Sequence, residues 1–115
     1  MQVVTLVLNR TECLEDLLSQ LLEAGIHGAT VLDSTGMMRV IDQVAEDMPM
    51  FSAFRQLFDP ERKSSKTIIM VLDDQEVQTA RKIIREVTGG LNHPDTGILF
   101  AVPTLFVEGL GEAKA

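Results

Sequence analysis

Tryptophan and tyrosine are absent from this chain, and only 4% of its 115 residues are aromatic. With 45% of residues hydrophobic, the core has to be assembled from aliphatic side chains. Cys13 is the only cysteine, which excludes an internal disulfide and fits a reducing, cytoplasmic setting. Histidine occurs only twice. Cys13, His27 and His93 stand far apart at no ligand spacing, so no metal site is expected. Neither histidine has a recognisable nucleophile or orienting partner, so no catalytic residues are assigned and an enzyme is not expected. Basic residues are outnumbered, ten against seventeen acidic, for a net charge of -7. That balance argues against nucleic acid, whose phosphates reward a basic surface, and against anionic membranes. Long apolar runs are missing too. The longest charge-free apolar stretch, between Asp95 and Glu108, is too short to cross a bilayer. Residues 2–8 are apolar, but Arg10 and Glu12 follow at once, so no secretory leader is read there.

What remains is strongly patterned. Residues 2–8 (QVVTLVL) read as a β-strand. Asn9, with Glu12 three residues later, has the spacing of a helix cap. Leu14, Leu17, Leu18, Leu21 and Leu22 then form an apolar stripe that Gly25 ends. Residues 29–33 read as a second strand. The same order recurs: a strand at 66–72, a cap at Asp73 and Glu76, and a stripe of Val77, Ala80, Ile84 and Val87 closed by Gly89 and Gly90. Residues 97–102 are the fourth strand, and residues 104–107 add a short fifth piece after Pro103. Two β-α-β units with one-sided helices bury both stripes best as an α+β, ferredoxin-like βαββαβ sandwich. In it two helices cover one face of a four-stranded antiparallel sheet, and residues 1–115 form a single domain.

Residues 34–65 form a long insertion between strands 2 and 3, and a connection of that length in a compact domain is usually functional or disordered. Pro49 suits the first position of a helix and Pro60 its end, so a short helix over 49–58 is expected. Met50, Phe51, Phe54, Leu57 and Phe58 give it an apolar side. Those residues fold back onto the domain or a neighbouring subunit, dock in a partner's groove, or contact a membrane. The turn at 88–97 (TGGLNHPDTG) offers backbone N–H groups of the kind that cradle phosphate. Its spacing matches neither the Walker pattern nor the dinucleotide fingerprint, and a helix stop explains Gly89 and Gly90 equally well.

Residues 25–39 (GIHGATVLDSTGMMR) resemble the stretch of PII nitrogen-regulatory proteins that leads from the first helix into their long T-loop. Gly25, Gly28, Thr30, Val31, Gly36 and Arg39 fall in register with it, while Met37 and Met38 replace a Phe and a Gly. Residues 88–103 are similar to the family's B-loop and closing strand, with Asp95 as its acidic residue. The resemblance implies a homotrimeric signalling protein. Its effector, ATP, ADP or AMP, would sit in a cleft between subunits, and its T-loop would regulate a transporter, enzyme or transcription factor. It places Thr30 beside the adenine and sets Gly36, Met37, Met38, Arg39, Thr88, Gly89 and Gly90 along the cleft. Departures are equally specific. Val40 and Ile41 replace the Gln and Lys that serve the metal–oxoglutarate site, so 2-oxoglutarate sensing is not expected. The Lys after Asp-Gly is replaced near Gly97, only Lys114 stands where two phosphate-binding arginines belong, and the T-loop tyrosine is missing. A diverged sensor follows, with a constitutive protein-interaction module and a vestigial cleft as the alternative.

Overall fold

The computed structural model describes residues 1–44 and 64–110. The expected helix over 49–58, with Met50, Phe51, Phe54, Leu57 and Phe58, lies outside them. Four strands, β1 (Gln2–Leu8), β2 (Thr30–Ser34), β3 (Ser65–Leu72) and β4 (Gly97–Pro103), alternate with α1 (Leu14–Glu23), α2 (Met37–Val44) and α3 (Asp74–Thr88). They form one sheet in the order β2-β3-β1-β4, and every neighbouring pair is antiparallel. This α+β arrangement is compatible with a ferredoxin-like fold.

Alternation along the strands decides which side is filled. Val4, Leu6 and Leu8 of β1 and Ile68, Met70 and Leu72 of β3 are all buried. They form one cluster with Leu17 and Leu21 of α1 and with Val77, Ala80, Ile83 and Ile84 of α3. The leucine stripe expected on α1 is narrower than its spacing suggested: Leu14 and Leu18 are half-buried and Leu22 is exposed. At roughly 1.5–3 kcal/mol for each fully buried aliphatic side chain, this cluster is the main source of stability.

The helix ends follow local chemistry. Asp73 accepts from the Glu76 N–H at 2.8 Å while the Asp73 N–H donates to Glu76 Oε1, completing the capping box expected for α3. Gly89 closes α3 in the left-handed region. α1 ends in a Schellman motif: Gly25, at φ 87°, donates to the Leu22 carbonyl, and buried Ile26 donates to that of Leu21. The start of α1 differs from expectation. The chain passes through a 3₁₀ turn at Thr11–Cys13, and regular helix begins only at Leu14. Beyond β4 no fifth strand forms at 104–107. The Thr104 N–H still donates to the Met1 carbonyl, which extends the β1–β4 ladder by one step before Leu105 and Phe106 project into solvent. No helix among the described residues is long and apolar enough to cross a membrane.

Candidate functional site

The strand register brings the two sequence motifs to one end of the sheet. Ser34 pairs with Ser65, the neighbouring Lys66 pairs with Leu8, and Leu8 pairs with Gly97. The chain therefore leaves β2 toward Gly36 at the same end where the 88–97 turn enters β4. Two contacts tie β2 to β3 there: Asp33 pairs with Lys66, and Ser34 Oγ lies 2.8 Å from Thr67 Oγ1.

Residues 37–44, expected to be loop, are helical instead. The Gly36 carbonyl accepts from the N–H groups of Arg39 and Val40 and so starts α2. Met37, Val40, Ile41 and Val44 stand at helical spacing in the sequence, but the apolar segment after Pro49 carries the same signal with clearer proline boundaries. In α2 Met37 and Val40 are exposed while Arg39 points inward.

Arg39 is the centre of the arrangement. Its Nη2 donates to Asp95 Oδ1 at 2.9 Å and Oδ2 at 2.7 Å, with the two side chains only 6% and 10% exposed. A charge pair that far from water needs close geometry and hydrogen bonding to offset the desolvation of both ions. Asp95 has φ 54°, the left-handed region that Asp tolerates better than most residues. Arg39 thus fastens the first turn of α2 to the 88–97 turn.

The turn itself is braced from below by a residue that the sequence did not single out. Arg10 Nη1 donates to the Thr88 carbonyl at 2.8 Å, and its Nη2 donates to Thr96 Oγ1 at 3.2 Å. A cation on the last carbonyls of a helix is favourable, because they carry the negative end of its dipole. Buried Thr88 donates from Oγ1 to the Ile84 carbonyl and accepts from the Gly90 N–H, and the Thr96 carbonyl accepts from the N–H groups of Asn9 and Arg10. Only a signal spread over three segments could have exposed Arg10, namely a basic residue after β1 facing the C-terminus of α3.

The expected ligand residues therefore divide. Gly36, Met37, Met38 and Arg39 meet the turn of Thr88, Gly89 and Gly90 through the Arg39–Asp95 pair. Thr30 does not join them. It pairs with Ile69, which stands opposite Thr5, at mid-sheet level and four residues along β2 from Ser34. At about 3.3 Å per residue, that is roughly 13 Å away along the strand. Among the described residues no group of three or more His, Cys, Asp or Glu side chains could hold a metal ion. No protein-family model and no curated protein matches this chain.

Proposed function

We propose that this chain is a PII-like regulatory protein with a ferredoxin-like βαββαβ scaffold, in which α2 is an insertion at the base of the long β2–β3 connection. It acts as a homotrimer in the cytoplasm and binds a small effector, an adenine nucleotide or nucleoside, in intersubunit clefts. Through the 34–65 segment it regulates a protein partner and carries out no catalysis. The observation that carries this reading is the buried Arg39–Asp95 pair, which couples the start of that connection to the glycine turn. An anionic effector on the turn competes with Asp95 for the Arg39 guanidinium. Binding then shifts α2 between a fastened and a released state.

Assembly draws support from the sheet face away from the core. There Val102, Val3 and Val71 form one cross-strand row, followed by Phe100, Thr5, Ile69 and Thr30, then Ile98, Val7, Thr67 and Leu32. Apolar patches of this kind usually mark interaction surfaces.

One observation favours the second reading, a constitutive interaction module with a vestigial cleft. Among the described residues, the arginines at this end of the sheet, Arg10 and Arg39, are both engaged within the chain. Calorimetry and thermal shift with ATP, ADP, AMP, cyclic dinucleotides and 2-oxoglutarate separate the two. A ligand of the folded state raises the melting temperature in proportion to its occupancy. The sensor reading expects an adenine-nucleotide response, none from 2-oxoglutarate, and altered tryptic cutting at Arg55, Arg62 or Lys63. No response to any nucleotide, with unchanged cutting, selects the constitutive module.

A further inference from the structure

The two edges of the sheet are unlike. β2 carries Asp33, whose charge on an edge strand discourages pairing with another chain. β4, GILFAVP, carries no charge and is blunted only by Pro103 at its end. Its outward backbone groups can be assigned. The Thr104 N–H donates to the Met1 carbonyl at one end of the β1–β4 ladder, and the Asn9 N–H donates to that of Thr96 at the other. Antiparallel pairs alternate between bonded and non-bonded. Val102, Phe100 and Ile98 therefore bond to β1, while the N–H and C=O groups of Gly97, Leu99 and Ala101 face outward.

Along this edge runs a groove of about 870 Å³ between β4 and α3. Val77, Ile84, Leu91 and Leu99 supply its apolar lining, with Arg81 and Arg85 on the α3 side. No acidic residue is among the described residues that line it, in a chain of net charge -7. Arg85 has no hydrogen bond or ion pair with another described residue, and Arg81 meets only the neutral Gln78 amide at 3.4 Å.

We propose that this groove receives an extended acidic segment of a partner protein. The segment adds as a strand to the outer edge of β4 and sets its carboxylates against Arg81 and Arg85. Spacing fits: the four residues from Arg81 to Arg85 advance about 6 Å along α3, and alternate residues of a strand stand about 7 Å apart. Backbone bonds to Leu99 and Ala101 supply affinity, the arginines supply selectivity on the groove side, and the alternate side chains lie beside exposed Ile98 and Phe100 on the opposite face. A second copy is a poorer occupant. β4 against β4 faces the arginines of one copy with those of the other, and β2 offers only Asp33, already paired with Lys66. The proposal is independent of the effector reading above.

The test uses the full chain and fluorescent seven-residue peptides alternating valine with glutamate or with lysine, followed by anisotropy. The glutamate peptide binds at least about tenfold more tightly than the lysine peptide, and more so at low salt. The exposed double variant Arg81→Glu/Arg85→Glu reverses that preference while keeping the wild-type melting temperature. N-methylation of the glutamate peptide along one edge abolishes binding, as does Ala101→Pro, which removes an outward N–H. Failure of the glutamate peptide to bind wild type, or indifference to charge reversal, overturns the proposal. Binding that ignores N-methylation and is displaced by free glutarate also overturns it, in favour of a small-anion site.

Discussion

The two faces of the sheet are both apolar, yet they live in different environments. On one, Val4, Leu6, Leu8, Ile68, Met70 and Leu72 are buried beneath α1 and α3. On the other, Val3, Val7, Ile69 and Val71 are half-buried, while Ile98, Phe100 and Val102 are 60%, 49% and 50% exposed. Antiparallel sheets with one solvated face normally alternate apolar with polar residues. β1 and β4 do not: Thr5 is the only polar residue that either places on the bare side. The difference teaches that apolar composition alone does not decide which face the chain itself covers. Apolar rows left exposed in this way usually mark interaction surfaces.

The covered face is the place to break the fold. Leu6 is fully buried at the centre of the cluster, so Leu6→Ala removes three carbon atoms and leaves a cavity under α3. A loss of about 3 kcal/mol is expected, measured by urea unfolding. The end of the sheet ranks next. Asp95→Asn keeps the size and tolerance of the left-handed backbone but removes the Asp95 charge from the buried Arg39 guanidinium. It is expected to cost about 2 kcal/mol and to speed tryptic cutting at Arg55 by loosening α2. Unchanged stability and cutting would show that the pair does not fasten α2. Gly97→Ala comes third. A Cβ at that position would sit 2.6 Å from the Val7 carbonyl oxygen, so β1 and β4 must separate locally. About 1–2 kcal/mol is expected, read from the denaturant midpoint.

Much of this was legible in the sequence because the relevant signals are local. The short apolar strand runs, the Asp73–Glu76 box and the Gly25 and Gly89 stops each lie within a few residues, and each appears where the sequence put it. α2 was not legible, since its one-sided stripe of Met37, Val40 and Ile41 competes with the apolar segment after Pro49. The candidate site was half legible. Its glycines and Arg39 stood out, but the partnership of Arg39 with Asp95 spans 56 residues and depends on strand register. Arg10 escaped notice because its partners are a helix-end carbonyl and a threonine hydroxyl, neither of which leaves a pattern in sequence.

The bare face gives the smallest effect on the subunit and the sharpest test of the comparison. Phe100 is half exposed and stands opposite Thr5, between the rows that begin at Val102 and Ile98. Truncating it to serine removes little that the subunit alone has buried, so an isolated subunit loses under about 1 kcal/mol. If second copies cover this face, the same change places a hydroxyl at the centre of the interface. Light scattering then gives a trimer mass for wild type and a monomer mass for Phe100→Ser, and the melting temperature of wild type alone rises with protein concentration. A monomeric wild type whose melting temperature ignores concentration would leave the bare face without its cover. The apolar composition of β1 and β4 would then need another partner.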